Sequence, residues 1–422
     1  MTQICLKTFG CKVNQYETQG IREDLLKGGY QEVERKADIY IINTCTVTAD
    51  ADREARALIR ACRRENPNAR IVVTGCYAQK DEKEIFALGG VTHVVKQHDK
   101  SRIREILEGG SVSEPGRPRY LPLQISDFKD HTRAFVKVQD GCDYRCAFCK
   151  VWIVRGKSVS RGPSEIAEEV KRLCSRGFRE IVLTGVSLGL YGRDFKEGGD
   201  ILDVIAKLED IEGLARIRLS SIDPIDVGEV FIEKLLLTRK CCKHLHLSLQ
   251  SGDDEVLSRM QRNYTSAYYR SLVQQLRKKF PDFSITTDII VGFPGETEEQ
   301  FENTLRIVHE LNFTRVHLFP YSHRKGTVAY PLKELVPSPV IRSRMKRLEK
   351  VTREASFRYR QPLCGKEVMV LAETSEEEGL VSGYTEQYVR VLFRGERRDV
   401  GAILPVHIQE VTPYHTVGSV IR

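Results

Sequence analysis

Three cysteines stand close together in the stretch Cys142-Asp-Tyr-Arg-Cys146-Ala-Phe-Cys149, directly after a predicted strand at residues 134–139. Three thiolates in so short a loop can bind three irons of a four-iron cluster and leave the fourth iron open. An open iron can chelate the amino and carboxylate groups of S-adenosylmethionine (SAM), and an electron from the cluster can then release a 5′-deoxyadenosyl radical. Zinc is the main alternative, but a structural zinc site takes four ligands, and no fourth Cys or His lies close by in the sequence. We therefore expect an iron–sulfur cluster here.

A second set of cysteines is spread over the first hundred residues. Cys11, Cys45 and Cys76 each lie just past one of the first three predicted strands. Loops at the carboxyl ends of parallel strands converge on one crevice, so three cysteines at equivalent places should meet. Each one alone is more readily explained as a small core residue. Together they predict a second cluster, again with one open iron.

The remaining cysteines are interpreted as structural or incidental: Cys5, Cys62, Cys174, Cys241, Cys242 and Cys364. The pair Cys241-Cys242 lies near His244 and His246, but histidines that alternate in a strand more often pack or hydrogen-bond than bind a metal.

The elements that must position these cysteines follow a strand–helix rhythm. Residues 1–108 predict an open parallel α/β domain with strands at 4–9, 38–43, 70–74 and 93–95 and helices at 15–27, 51–64, 80–87 and 101–107. Residues 109–130 contain a Gly/Pro/Ser-rich stretch typical of a linker. Residues 131–337 repeat the rhythm six times, which predicts a partial (βα)6 barrel, although periodicity alone fits a doubly wound sheet equally well.

The last part of the chain has a different pattern. Residues 338–360 predict a connecting helix, which opens with Ser338 as N-cap and Pro339 in the first turn and carries eight basic against two acidic residues. Residues 361–422 read as five short strands with six basic against nine acidic residues, which suggests a small β-barrel of the oligonucleotide-binding kind. The basic helix fits either a nucleic-acid contact or a solvated helix face.

The bulk composition is that of an ordinary globular protein. The chain has 422 residues, of which 41% are hydrophobic and 29% charged, and its formal net charge is +8. No apolar run approaches the roughly 18 residues that span a bilayer, and the amino end enters a strand without a secretory pattern. We expect a cytoplasmic protein without a membrane partner, in which twelve cysteines are better explained by metal or redox chemistry than by disulfides.

With these motifs in place, the chain resembles the methylthiotransferase branch of the radical SAM superfamily over nearly its whole length. The amino-terminal motifs that carry the resemblance are Thr8-Phe-Gly-Cys11-Lys-Val-Asn14-Gln-Tyr-Glu-Thr18, Asn43-Thr-Cys45-Thr-Val47 and Val73-Thr-Gly-Cys76-Tyr-Ala-Gln79. The barrel motifs are Leu219-Ser-Ser-Ile-Asp-Pro224, His246-Leu-Ser-Leu-Gln-Ser-Gly252 and Asp288-Ile-Ile-Val-Gly-Phe-Pro-Gly-Glu-Thr297. The last region resembles the TRAM domain, a tRNA-binding barrel.

The resemblance implies two [4Fe–4S] clusters, an auxiliary one and the radical SAM one, and two uses of SAM, as methyl donor and as radical source. It implies that Thr184, Gly185, Val186, Ser248 and Gln250 line the SAM site, and that the segment 319–327 brings Arg324 to the substrate. Arg155 is a second candidate substrate contact. Two departures from the family pattern are Trp152, where a proline is usual, and Ser187, where a larger polar residue is expected.

The resemblance also implies a tRNA partner, bound through its anticodon loop, an electron donor such as flavodoxin or ferredoxin, and a sulfur donor. The segment around Cys11 resembles the subgroup that acts on N6-threonylcarbamoyladenosine at position 37. The threonylcarbamoyl group carries a carboxylate, which a cation or backbone donors would bind, and the candidate cations are Lys12, Lys150, Arg155 and Arg324. The alternatives are N6-isopentenyladenosine, an aspartate of a ribosomal protein, or a non-catalytic iron–sulfur RNA-binding protein. A pure electron carrier would normally use four cysteines.

Overall fold

The computed structural model describes residues 1–79, 82–110, 120–376 and 379–421. The amino-terminal region is a five-stranded parallel sheet of order β2-β1-β3-β4-β5. Its elements are β1 (Gln3–Thr8), α1 (Lys12–Lys27), β2 (Gln31–Glu32), β3 (Ile39–Thr44), α2 (Ala49–Glu65), β4 (Arg70–Gly75), α3 (Glu82–Ala87), β5 (Val91–Val95), a 3₁₀ turn at Gln97–Arg102, and α4 (Ile103–Leu107). Every residue of β3 is buried, as expected of a central parallel strand.

The central region carries the parallel strands of the barrel and the helices between them. Its elements are β6 (Arg133–Lys137), β7 (Gln139–Asp140), α5 (Val151–Arg155), β8 (Val159–Ser160), α6 (Pro163–Ser175), β9 (Glu180–Thr184), α7 (Ile201–Leu208), β10 (Arg216–Leu219), β11 (Ser221–Ile222), α8 (Glu229–Leu237), β12 (His244–Leu247), α9 (Asp254–Arg259), α10 (Ser266–Lys279), β13 (Ser284–Val291), α11 (Glu298–Leu311) and β14 (Arg315–Pro320). The Thr297 capping box expected at the start of α11 is present.

The strand order decides between a partial barrel and a doubly wound sheet. The strands pair in the orders β10-β9-β6 and β11-β12-β13-β14, and only Ser220 separates β10 from β11. Apart from the short antiparallel pair of β7 and β8, the strands from β6 to β14 therefore follow one another in the sheets in chain order, whereas a doubly wound sheet reverses direction at a switch point. The partial barrel is confirmed.

The carboxy-terminal region begins with α12 (Ser338–Arg360). A closed barrel of order β15-β16-β17-β19-β18 follows, formed by β15 (Glu367–Ser375), β16 (Leu380–Thr385), β17 (Arg390–Arg394), β18 (Ile403–Val411) and β19 (Thr416–Val420). Within the described ranges, no helix is long and apolar enough to cross a membrane.

Two expectations for the connecting segments need correction. Ser338 is not the N-cap of α12: the cap is Pro337, and no side chain caps this helix start. The predicted linker at 109–130 is described only in part, because residues 111–119 lie outside the described ranges. The second half of this segment packs against the rest of the protein. Leu121, Leu123 and Ile125 alternate inward as an extended segment and are buried, and the Tyr16 hydroxyl donates to the Leu123 carbonyl at 2.7 Å.

The two barrels meet across a buried polar interface. Arg216 donates to the carbonyls of Tyr384 at 3.2 Å and Met369 at 2.7 Å, and Arg218 donates to those of Glu386 and Thr385. Both arginines lie on β10 at the amino-terminal end of the barrel strands, opposite the end that carries the cysteine loop. The small barrel therefore closes the lower end of the partial barrel.

Candidate functional site

The loop that follows β7 brings Cys142, Cys146 and Cys149 together. The Cys142 amide donates to the Gly156 carbonyl at 3.0 Å, which closes the loop. The Val151 amide donates to the Cys149 sulfur at 3.3 Å, and the Arg262 guanidinium donates to the Cys146 sulfur at 3.0 Å. Such donors stabilise the negative charge that thiolates carry when they bind iron.

Gln139 fixes this loop to the neighbouring strand end. Its amide nitrogen donates to the Gly141 carbonyl at 2.8 Å, and its amide oxygen accepts from the backbone nitrogens of Val186 at 2.8 Å and Ser187 at 3.0 Å. A Cβ at position 185 would lie 2.7 Å from that oxygen, so a larger residue there would displace the Gln139 side chain. The cysteine loop and the turn after β9 are thereby held as one unit.

The second cysteine set also meets, as its placement after three strands predicts. Thr44 of β3 pairs with Gly75 of β4, so Cys45 and Cys76 follow adjacent strand ends. Cys11 is the N-cap residue of α1, and its side chain makes no cap hydrogen bond. The positive end of the helix therefore faces whatever negative charge the Cys11 thiol carries.

Two glycines make the close approach of these loops possible. Gly10 has φ +91° and Gly75 has φ +95°, in the left-handed region that other residues rarely adopt. A Cβ on Gly10 would lie 2.8 Å from the Cys45 Cβ, and one on Gly75 would lie 2.2 Å from the Thr44 carbonyl oxygen. Glycine before Cys11 and before Cys76 is thus a steric requirement of the site.

The thiols of both sets fit the donor set of a cluster. Burial raises the pKa of Cys45, Cys142 and Cys149 to about 12, and within each set neighbouring thiols act in the same direction. A metal requires thiolates, so its binding must release these protons. Among the described residues, no three His, Cys, Asp or Glu side chains form a group suited to a single metal ion. In a cluster each thiolate binds a different iron, which spaces the sulfurs further apart.

A buried charge network lies between the amino-terminal domain and the barrel. Glu17 of α1 accepts hydrogen bonds from Lys100, from Lys137 of β6 at 2.7 Å and from Arg155 at 3.0 Å. Arg155 also bonds Asp140 at 2.8 Å and the side-chain oxygen of Asn14 at 2.7 Å. The network ties together helix α1, which begins after Cys11, and helix α5, which begins after Cys149.

The network contains three cations, Lys100, Lys137 and Arg155, and two carboxylates, Glu17 and Asp140. Burial alone would raise the pKa of Glu17, but Arg155, Lys100 and Lys137 outweigh it and hold this pKa well below its usual range. The carboxylate is therefore ionised at neutral pH. The excess positive charge lies close to the amino-terminal cysteines, because Arg155 and Lys100 both act to lower the pKa of Cys76.

The five residues predicted to line the SAM site all lie at strand ends on the side of the cysteine loop. Thr184 ends β9, and the Gly185 amide points to the Ser220 hydroxyl at 3.4 Å. Ser248 donates to Asp288 at 3.3 Å, and Gln250 adopts φ +66° and pairs with β13 through the Asp288 carbonyl. Val186 is half-buried on the same turn as Gly185. Their contact with SAM stays a prediction.

Arg155 and Arg324, the two predicted substrate contacts, both have partners inside the protein. The Arg155 side chain is only 2% exposed and is bound within the Glu17 network. Arg324 is also buried; it pairs with Asp52 at 2.5 Å and donates to the Thr46 carbonyl at 3.0 Å. Both guanidiniums pair with internal carboxylates and so hold the loops after Cys149 and Cys45 in place, and their contact with the substrate stays a prediction.

The two departures from the family pattern are accommodated inside the fold. Trp152 lies in α5, and the Arg145 guanidinium stands 5.7 Å from the centre of its ring. Within the described chain, the indole nitrogen of Trp152 and the hydroxyl of Ser187 are buried without a hydrogen-bond partner.

The sequence did not single out several residues that build the site: Glu17, Gln139, Asp223, Arg262, Lys100, Lys137 and Asp140. Glu17 and Asp223 lie within motifs that the sequence analysis recognised. The helical spacing of Cys11, Asn14 and Glu17 places these three residues on one face at the start of α1. Arg262, which bridges Asp223 and Cys146, carried no sequence signal.

Comparison with known proteins identifies the family. Residues 136–308 match the model of the radical SAM superfamily, and residues 3–96 match the Uncharacterized protein family UPF0004. The chain is 41% identical to the threonylcarbamoyladenosine tRNA methylthiotransferase MtaB of Thermotoga maritima, over 98% of this chain and 95% of that protein. The chain belongs to the methylthiotransferase family of radical SAM enzymes. This methylthiotransferase is also 37% identical to the protein of the same name from Bacillus subtilis, over 100% of this chain and 97% of that one.

Other relatives carry different substrate names. The tRNA-2-methylthio-N(6)-dimethylallyladenosine synthase of Clostridium novyi is 34% identical over 99% of this chain and 96% of its own. Among solved structures, the radical SAM methyltransferase TsrM of Kitasatospora setae, with cobalamin and a [4Fe–4S] cluster bound, is similar with a TM-score of 0.57 at 17% identity, over 78% of this chain and 77% of that one. That likeness concerns the fold alone.

Membership of this family brings two [4Fe–4S] clusters and SAM as cofactors. The described residues provide two sets of three converging thiols, each with hydrogen-bond donors on its sulfurs. The enzyme is therefore a tRNA methylthiotransferase, and these two sets of thiols are the candidate ligands of its clusters.

Proposed function

We propose that this methylthiotransferase adds a methylthio group to carbon 2 of N6-threonylcarbamoyladenosine at position 37 of tRNA, giving 2-methylthio-N6-threonylcarbamoyladenosine. The observation that carries the proposal is the pair of three-cysteine sites on facing sides of the Glu17 network. The similarity to threonylcarbamoyladenosine tRNA methylthiotransferases, at 41% and 37% identity, supports this choice of substrate.

We assign Cys142, Cys146 and Cys149 to the radical SAM cluster and Cys11, Cys45 and Cys76 to the auxiliary cluster. The bound groups supply one-electron chemistry that activates a carbon without an acidic proton, which side chains alone cannot do. The chain's own residues orient the two sites. Gln139 holds the loop of the first set, and Gly10 and Gly75 permit the close approach of the second.

The Glu17 network has a further role between these sites. Its surplus positive charge lies beside the amino-terminal thiols, of which Cys45 and Cys76 are buried, and favours their thiolate forms there. Arg155 and Lys137 reach it from the barrel, so assembly of the charge balance requires both domains. We expect a small electron carrier such as flavodoxin or ferredoxin as reductant, and a separate sulfur donor. Because the substrate is tRNA, we place the reaction in the cytoplasm.

The test of this function compares two modified RNAs. Reconstituted enzyme is incubated with SAM, sulfide and a reductant, together with tRNA that bears either threonylcarbamoyladenosine or isopentenyladenosine, and the products are digested to nucleosides for mass spectrometry. We expect the methylthio product from threonylcarbamoyladenosine alone. Product from isopentenyladenosine alone would overturn the substrate and leave the enzyme class standing.

We propose that the anticodon arm of tRNA contacts one face of α12. Arg342, Lys346 and Lys350 are exposed at four-residue spacing, which puts them on one side of the helix, and no ion pair involves them within the described ranges. Other basic residues of α12 are internal. Arg344 is buried against Glu296 at 3.0 Å, and Arg360 donates to Thr416. Some basic residues of the helix predicted from the sequence therefore hold it against the rest of the protein and do not face RNA.

Reversing the charge of the exposed basic residues of α12 tests this contact with tRNA. Replacing Arg342, Lys346 and Lys350 with Glu is expected to weaken tRNA binding and to lower the slope of log K against log salt by about 1 for each lost phosphate contact. Reversal of Lys27, Lys207 and Lys278, which are exposed elsewhere, is the matched control. Affinity measured by fluorescence anisotropy across a salt series gives the slope, and an unchanged slope would place the RNA on another surface.

A further inference from the structure

The four cations that the sequence offered for the threonylcarbamoyl carboxylate are not equally available. Arg155 and Arg324 are bound to buried carboxylates. Lys150 is only 3% exposed. Lys12 differs from them: it is half-buried, and within the described chain no hydrogen bond or ion pair occupies its ammonium group.

The Lys12 side chain points from α1 into the lumen of the partial barrel. Its ammonium nitrogen stands 6.0 Å from the ring centre of Phe135 on β6, the first barrel strand. It also lies close enough to His317 on β14, the last strand, to act on the charge of that imidazole. Lys12 therefore reaches the interior space between the first and last strands.

The walls of this space are polar but hold little free charge. The rings of His246 and His317 stand 5.8 Å apart, and His246 pairs with Asp288 at 3.1 Å. Burial and the charge of Arg315 lower the pKa of His317 to about 4, and burial holds the pKa of His244 well below its usual range. At neutral pH both imidazoles are uncharged, so they offer hydrogen bonds and add no positive charge.

Two cations remain at this site, Lys12 and Arg315. Arg315 shares a strand face with His317 because the two alternate on β14, and it is exposed and without an ion pair among the described residues. The charge of Lys12 also acts on Tyr388 of the small barrel. The carboxy-terminal domain therefore forms the lower wall of this space. A half-buried ammonium group beside uncharged rings is a site for an anion.

We propose that Lys12 is the specificity-determining residue that binds the carboxylate of the N6 substituent inside the barrel lumen. This inference rests on the proposed function and deepens it. A carboxylate forms a charge-assisted hydrogen bond with the ammonium group. An apolar substituent of similar size would bury that ammonium unpaired and would be rejected, so one side chain both attracts the acid and excludes its apolar competitor.

The test uses an anticodon stem–loop RNA carrying threonylcarbamoyladenosine, and the same RNA with its carboxylate converted to the neutral methyl ester. Lys12→Gln should weaken binding of the acid by about 10- to 100-fold, as loss of a charge-assisted hydrogen bond does, and leave binding of the ester unchanged. Lys12→Arg keeps the charge and should retain most of the preference. Lys27→Gln removes an exposed charge from the other end of the same helix and is the control.

Binding is measured by fluorescence anisotropy, and the iron content of each variant is measured beside it. Equal losses for acid and ester would overturn the role of Lys12. The outcome is separate from that of the proposed function. A wild type that modifies only isopentenyladenosine RNA refutes the function, whereas a Lys12→Gln variant that keeps the acid preference refutes this inference alone.

Discussion

Replacing Cys142, Cys146 and Cys149 together with alanine is expected to halve the iron of the anaerobically reconstituted protein and to abolish SAM cleavage. The reason is that each set of three thiols has its own loops and its own donors, so loss of one set leaves the other intact. The triple replacement of Cys11, Cys45 and Cys76 should also halve the iron, yet leave cleavage of SAM to 5′-deoxyadenosine measurable. Iron and labile sulfide assays with a chromatographic assay of 5′-deoxyadenosine give both readouts.

The control for these variants is Cys364→Ala, since Cys364 is an exposed cysteine of the small barrel outside both sets. It should keep full iron and full activity. Iron loss from only one of the two triple variants would contradict the assignment of two clusters to these six cysteines. Retained SAM cleavage after loss of the Cys142 set would contradict the division of roles between them.

Glu17→Gln is expected to lower the free energy of unfolding by about 3–5 kcal/mol, because it leaves three buried cations facing a single remaining carboxylate. Asp24→Asn on the same helix is the matched control. The Asp24 pair with Arg104 has side chains 37% and 41% exposed, and such pairs contribute about 1 kcal/mol or less. Urea unfolding of the reduced apoprotein measures both. A Glu17→Gln variant as stable as the control would contradict the central place of this carboxylate.

A second replacement and a pH series sharpen the result. Combining Glu17→Gln with Lys100→Met removes one of the uncompensated charges and should recover part of the loss in a double-mutant cycle. The folded-state pKa of Glu17 is depressed, so its stabilisation is fully present above the unfolded value of about 4.3 and disappears as the pH falls through the folded value. The difference between wild type and Glu17→Gln should therefore stay constant from neutral pH down to about pH 5.

The architecture was accessible from the sequence because it rests on local patterns. The alternation of β-rich and amphipathic segments located the parallel strands and the five strands of the small barrel, and the position of Cys11, Cys45 and Cys76 after successive strands predicted their meeting. The partial barrel predicted from six strand–helix units is confirmed, although periodicity alone could not exclude a doubly wound sheet, because that choice depends on which strands pair.

The partners of charged residues could not be predicted either. Arg155 and Arg324 look like ligand-binding arginines in a sequence, and only the fold shows that Glu17 and Asp52 already occupy them. Arg344 and Arg347 look like part of an RNA-binding helix, yet they pair with Glu296, Glu298 and Glu302 on the barrel. Pairing between residues far apart in the chain is set by tertiary contacts, which composition does not record.

The arginine-to-carbonyl bonds beneath the partial barrel have a consequence for how a nucleotide is chosen. Arg216 and Arg218 hold the small barrel against the partial barrel by hydrogen bonds to its backbone carbonyls. These bonds fix the position of the small barrel relative to the lumen of the partial barrel. If tRNA binds α12 as proposed, the protein sets the distance from the bound phosphates to the barrel lumen. We therefore expect the position of an adenosine along the RNA, as well as its chemistry, to decide whether it is modified.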